Sequence, residues 1–274
     1  MGLGEKIRRA LAGRPAPAED PPELWSPELG QDYRSFWDNM AKDRASAYLA
    51  VAGEPFGKPA TEETLTAHGR DTAKIIAHTL ALGPEDRVLE VGVGVGRLAE
   101  HIAPLCRSFT GIDISAKMIA IARERLRPFP NVRLEVNEKS DLHVFPDGSF
   151  DKIYFQVVLI HLDREDAFHY VEEAYRALVP GGLAWFQFYN LLHPGGFREF
   201  RFAVDYMVKH GQKTRGRVHC YTAPEARALV TAAGFKIVEE KSSLALVDQD
   251  FPYSIPDHDW EFYLIAAGEK PGNG

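Results

Sequence analysis

Glu90 closes a short apolar run, and three glycines, Gly92, Gly94 and Gly96, alternate with valines directly after it. Glycines this close behind a strand let a backbone approach a ligand that any Cβ would hold off. A second acid, Asp113, ends the next apolar run. Such a set can cradle a nucleotide, or a related ligand that carries no phosphate. A triphosphate loop is excluded, because no Gly-Lys-Ser/Thr follows the glycines. A dinucleotide fits better. Counted from Gly92 the third glycine position is Arg97, but counted from Gly94 the residues GVGRLA satisfy Gly-x-Gly-x-x-Ala. Asp113 then lies about where a ribose-binding acid belongs. Glu90 argues the other way, since a carboxylate beside the loop would repel a pyrophosphate and attract a cation.

Strand-helix alternation supplies the frame for these residues. Strands are expected over 87–91 and 108–113, from Asn131, from Phe150 and over 183–189. Helices are expected over 96–103, 116–126 and 163–178, the last stopped by Pro180-Gly181-Gly182. Such alternation builds βαβ units and a mainly parallel sheet. Residues 191–218 interrupt it with a helix from Phe197; a helix over 224–233, a stop at Gly234 and a strand from Phe235 follow. The final strand, from Trp260, has no helical crossover before it and should run antiparallel. Upstream, residues 14–22 read as a proline-rich linker, an aromatic helix follows Asp32, and Thr61 caps a helix over 61–82. The expected fold is α/β and doubly wound, with a seven-stranded, mainly parallel sheet and an antiparallel last strand. An N-terminal helical extension, residues 1–60, would act as a lid on a domain over 61–274 that carries the insertion at 191–218.

Composition narrows the function. The 274 residues are 45% hydrophobic, enough for a substantial core. A net charge of −7 argues against nucleic acid or an anionic membrane as partner. Cys106 and Cys220 stand far apart without metal-ligand spacing, which suggests a reducing compartment, no metal and no disulfide framework. The basic opening residues lack the apolar core of a signal peptide and no run is long enough for a membrane span, so a cytoplasmic location is expected.

The motifs together resemble the class I S-adenosylmethionine-dependent methyltransferases, with their Rossmann-like fold. EVGVGVG from Glu90, GIDIS from Gly111, NEKSDL from Asn137, FPDGSFD from Phe145 and RALVPGG from Arg176 carry the likeness, over roughly residues 88–267. FWDNMA from Phe36 and HGR from His68 resemble the leader helices of bacterial small-molecule members. The cofactor that the resemblance implies carries a sulfonium and an ammonium but no phosphate, which suits Glu90. Gly92, Val93 and Gly94 would border its methionine half, Glu90 would reach its ammonium, and Asp113 would accept both ribose hydroxyls. Ile114 and Met118 would pack on the adenine. Glu138 and Lys139 would face its edge, although this chain reads Asn-Glu-Lys where Gly-Asp-Ala is common. Gln156 would lie near the methionine half.

Methyl transfer from a sulfonium is an in-line displacement that needs alignment and exclusion of water. A general base is required only for a protonated acceptor, and His161 and His193, each following a central strand, are its candidates. In this fold the acceptor walls come from the leader and from the insertion after strand five, here Tyr33, Phe36, Trp37, Phe197 and Tyr206. They suggest a small, apolar acceptor, and the basic run KHGQKTRGR from Lys209 suggests an anionic group on it. The glycine loop itself should not depend on residues 1–40. Two other readings stay open: a nicotinamide-dependent oxidoreductase, and a non-catalytic interaction module on the same fold.

Overall fold

The computed structural model describes residues 32–52, 61–139, 141–242 and 263–272. The proline-rich linker, the basic opening residues and the start of the last strand at Trp260 lie outside them. One sheet organises the rest: β1 (Arg87–Val91), β2 (Ser108–Asp113), β3 (Val132–Val136), β4 (Phe150–Phe155), β5 (Leu178–Asn190), β6 (Cys220–Tyr221), β7 (Lys236–Ser242) and β8 (Tyr263–Glu269). The order is β3-β2-β1-β4-β5-β8-β7. β1 to β5 pair in parallel, and β8 runs antiparallel to both β5 and β7. Winding runs outward from β1 through β2 to β3, then restarts on the other side with β4. That reversal opens a crevice beyond the C-terminal ends of β1 and β4, where a doubly wound sheet binds ligands.

The seven expected strands are joined by an eighth. β6 pairs with the end of β5, Tyr189 with Cys220 and Asn190 with Tyr221. A two-residue pairing has no periodicity to detect. β5 itself begins at Leu178, so Pro180-Gly181-Gly182 lies inside the strand rather than before it.

Local chemistry sets the helix ends. α1 (Tyr33–Met40) starts at Asp32, whose carboxylate accepts from the Ser35 amide. α2 (Arg44–Ala52) follows it. α3 (Glu62–Thr79) opens on a reciprocal cap, in which Thr61 and Thr64 side chains accept from each other's amides. The helix expected from Gly96 starts later, as α4 (Ala99–Ile102), because Gly96 has φ +79° and cannot be helical. α5 (Ala116–Arg125) is capped by Ser115, and α6 (Arg164–Ala177) covers the other face. α7 (Pro194–His210) begins before the expected Phe197 because His193 caps it and Pro194 suits a first turn. α8 (Ala223–Ala232) is fixed by the Thr222–Glu225 box.

Alternation along the strands divides the core. Tyr154 and Trp185 pack on one face with Ile76, Phe109 and Ile119, under α3 and α5. Phe155 and Phe186 pack on the other with Tyr170 and Val171, under α6. Each such side chain contributes on the order of 1.5–3 kcal/mol by leaving water. A third cluster ties the leader to the sheet ends: Ala41, Ala47 and Tyr48 meet Leu65, Val95 and Met118.

Candidate functional site: the cavity beyond strands β1, β2 and β4

A cavity of about 120 Å³ occupies the crevice. Its floor is the glycine loop. Gly92 (φ +77°) and Gly94 (φ +54°) adopt the left-handed conformation that a side chain resists. A Cβ on Gly92 would come within 2.3 Å of Val158 Cγ2, and one on Gly94 within 2.9 Å of Val51 Cγ1. The amides of Gly92 and Val93 both donate to the Ile112 carbonyl, at 2.8 and 2.9 Å, which pins the loop against β2.

Two acids flank the floor. Asp113, half-buried at the end of β2, accepts from the Gly94 amide at 2.8 Å and the Ser115 amide at 2.9 Å. Burial pushes its carboxyl up to about 6 against the pull of those amides. With one amide on each oxygen, both oxygens keep a lone pair free to accept a further hydrogen bond. Glu90 is 2% exposed, and Tyr154 donates its hydroxyl to Oε2 at 2.8 Å. Burial raises the Glu90 carboxyl to about 8, with the Tyr154 bond and the charge of Arg97 opposing the rise. Ile114, Met118 and Asn137 continue the wall, and Gln156 closes it at the end of β4, where its side-chain oxygen accepts from Trp185 Nε1 at 3.1 Å. Val157 then takes φ +59°, a strained conformation for a β-branched residue, and its amide donates to Gln187 Oε1 at 3.0 Å.

The roof comes from the leader and the segment after β4. Tyr33, Trp37, Ala50 and Val51 line it with Val158, His161 and Leu162. Trp37 meets the His161 ring edge-on at 4.9 Å. His161 has its pKa lowered to about 4, chiefly by loss of water, despite the Gly216 and Arg217 carbonyls near it. Its Nδ1 has no hydrogen-bond partner among the described residues. Tyr33 accepts from the Asp163 amide at 2.8 Å and donates to Asp166 at 3.1 Å. Leader and insertion touch directly: Phe36 packs on Gly216, where a Cβ would lie 2.0 Å from its ring.

One cavity thus unites Glu90, Gly92, Val93, Gly94, Asp113, Ile114, Met118, Gln156, His161, Tyr33 and Trp37. Other candidates fall elsewhere. His193 is the cap of α7, its Nδ1 accepting from the Gly195 amide at 3.0 Å, so its ring is committed to the helix start. Phe36 is buried beneath Trp37, Phe197 packs against Phe200, and Tyr206 is buried beside His210. Glu138 and Lys139 are exposed, Glu138 facing Arg34; the neighbouring Asn137 lines the cavity instead, donating to the Tyr170 hydroxyl at 3.0 Å. Within the basic run, Arg215 and Arg217 both pair with Asp163. The loop also leans on the leader. Ser115 donates to Asp38 of α1 at 2.6 Å, and Val51 of α2, outside residues 1–40, covers Gly94.

Residues 88–182 match the methyltransferase domain family. That match, with the relatives below, supports the class I S-adenosylmethionine-dependent methyltransferase superfamily for this domain. The demethylmenaquinone methyltransferase of Tropheryma whipplei (strain Twist) is 36% identical over 116 residues, 42% of this chain and 46% of that protein. Phosphoethanolamine N-methyltransferase 1 of Arabidopsis thaliana is 29% identical over 161 residues, 57% of this chain and 30% of that protein. The chain therefore spans under half the length of these curated relatives. The N-methyltransferase NodS from Bradyrhizobium japonicum WM9, solved with S-adenosyl-L-homocysteine, superposes with a TM-score of 0.58 at 16% identity, over 86% of this chain and 96% of that one. That likeness is one of fold.

Proposed function

We propose that this chain transfers a methyl group from S-adenosylmethionine to a small, largely apolar acceptor. The observation that carries the reading is the single cavity in which a glycine cradle, two flanking acids and an aromatic roof converge. The residues fit the cofactor: the cradle is one that a Cβ would fill, and the two acids suit a ligand that brings ribose hydroxyls and positive charge. When bound, S-adenosylmethionine supplies a methyl group already activated on a sulfonium. The chain's own task is then to hold, align and keep dry.

Asp113 is the acceptor for the ribose hydroxyls, with its oxygens fixed by the Gly94 and Ser115 amides. Glu90 receives the ammonium, and Ile114 and Met118 give an apolar surface for the base. Over the reacting side lie Trp37, Val158 and Leu162, which shed water and favour an uncharged acceptor. His161, with its pKa near 4, is neutral at pH 7. A base that weak takes a proton poorly, so its place in the roof, edge-on to Trp37, suits positioning an acceptor better than deprotonating it. The relatives named above, one for a quinone and one for a phosphorylated amine, act on chemically distant acceptors, so the roof rather than the cradle sets the substrate class.

Titration calorimetry with S-adenosylhomocysteine, NAD and ATP tests the reading. Heat from S-adenosylhomocysteine alone is expected. Heat from NAD alone would assign the cradle to an oxidoreductase. Binding of S-adenosylhomocysteine without methyl transfer to any quinone, phenol or amine in a panel would favour a non-catalytic module. No helix of the described residues is long and apolar enough to cross a membrane; we place the protein in the cytoplasm on the strength of its cysteine usage.

A further inference from the structure

Tyr154 sits opposite Glu90 in the β1–β4 register. It is 0% exposed, in an apolar cluster with Val88, Phe109 and Trp185. Phenylalanine would serve that cluster equally well. A buried hydroxyl there must find a partner, and it donates to Glu90 Oε2 at 2.8 Å. Glu90 is itself 2% exposed yet lines the cavity. A buried acid with a tyrosine at its back is therefore presented to whatever binds beside Gly92.

We propose that Tyr154 is a positioning residue for Glu90: by occupying one carboxylate oxygen it turns the other toward the cavity, and a cationic amine binding there displaces a proton from the pair. The inference rests on the cofactor reading above and adds to it a residue and a proton. The charged and titratable groups facing the pair are Arg97, after the glycine loop, which favours the carboxylate, and Asp113, at the end of β2, which disfavours it. Tyr154 also faces Cys106. Burial outweighs these influences, so in the free protein at pH 7 Glu90 holds its proton. The balance is simple. The carboxylic acid and the ligand's ammonium become a carboxylate–ammonium pair, and one proton leaves to solvent.

Two ligands separate this from the cofactor reading itself. S-adenosylhomocysteine has the amino-acid half, while 5′-methylthioadenosine has only adenine, ribose and the thioether. Asp113 acts on both, so their difference isolates Glu90. Calorimetry of the full chain between pH 6 and 8, in buffers of different ionisation enthalpy, should show more proton release with S-adenosylhomocysteine. Its affinity should rise more steeply with pH, by up to about tenfold per unit. Tyr154→Phe should weaken S-adenosylhomocysteine about tenfold and leave 5′-methylthioadenosine within about twofold, the second ligand reporting that the variant is folded. Equal losses for both ligands would make Tyr154 merely structural and overturn its positioning role. Equal proton release for both in the unmodified protein would overturn the coupling without any variant. If neither ligand binds the unmodified chain, the cofactor reading fails and the proposal falls with it.

Discussion

The floor and the roof of the cavity are made by different means. The floor is backbone: Gly92 and Gly94 at positive φ, two amides on the Ile112 carbonyl, and the Gly94 amide on Asp113. The roof is side chains that clasp across long separations. Tyr33 reaches Asp163 and Asp166, Phe36 packs on Gly216, and Arg215 and Arg217 converge on Asp163. A backbone floor admits almost no substitution but needs few residues. A side-chain roof can be rebuilt piecemeal, because each of its contacts rests on individual side chains and leaves the backbone of the sheet and loop untouched. The proposed function would place recognition of the cofactor on the first and discrimination between acceptors on the second.

The contrast breaks most sharply at Gly92. Alanine there would pay twice, in a left-handed backbone and in a contact of 2.3 Å with Val158. Gly92→Ala should lower S-adenosylhomocysteine affinity more than a hundredfold in calorimetry, with circular dichroism unchanged. Affinity within threefold of the parent would show that the loop yields and is no cradle. Asp113→Ala comes next. It removes a charged acceptor of two hydroxyls, worth about 1.5–3 kcal/mol net for each bond, so a loss of at least about a hundredfold is expected. The same affinity in a folded variant would place the ribose elsewhere.

Removing residues 1–40 tests the roof. It deletes Tyr33, Trp37 and the Asp38 carboxylate that accepts from Ser115, while α2 and the floor remain. Transfer should be lost and cofactor affinity should fall about tenfold, roughly the effect of one aromatic contact. Full transfer by the truncated chain would remove the leader from the site. Unchanged cofactor affinity with transfer lost would instead restrict the leader to the acceptor.

This division also explains what could be read from the sequence. The cradle was legible because positive φ selects glycine, and three glycines after an apolar run leave a dense local signal. Glu90 and Asp113 were legible because each ends a strand beside that signal. The roof was legible only as a surplus of aromatics. Whether Phe36 faces the cavity or Gly216 depends on a loop 180 residues away, and no periodicity records it. Tyr206 and Phe197 share helical spacing with core residues and fall outside the cavity for the same reason. A histidine after a strand looks alike as a base and as a helix cap; at His193 the ring accepts from the Gly195 amide, which the sequence does not record. The Glu138 position was drawn toward the cavity by its motif, yet the chain turns Asn137 inward and Glu138 out to solvent. Nothing in the sequence pointed to Tyr154, which reads as an ordinary strand aromatic until its register with Glu90 is known.

The smallest effect concerns stability and isolates the floor from the roof. Glu90 is raised to about 8 in the folded chain against an ordinary value of 4.5. The folded state therefore binds more protons than the unfolded one across that interval. Its contribution is complete below about pH 4.5 and is lost as pH rises through about 8. His161 and His219 act in the opposite sense, because both are lowered to about 4 from 6.5, and stability from them rises with pH over that lower window. The net profile of the parent is thus a poor test. Glu90→Gln removes one group and leaves both histidines, and its amide oxygen can still accept from Tyr154. The difference in melting temperature between variant and parent should shift in favour of the variant as pH is raised from 5 to 8.5, by several degrees. A pH-independent difference would mean that Glu90 is ionised in the free protein, held as a carboxylate by Arg97, and that the floor presents a fixed negative charge rather than a proton to be displaced.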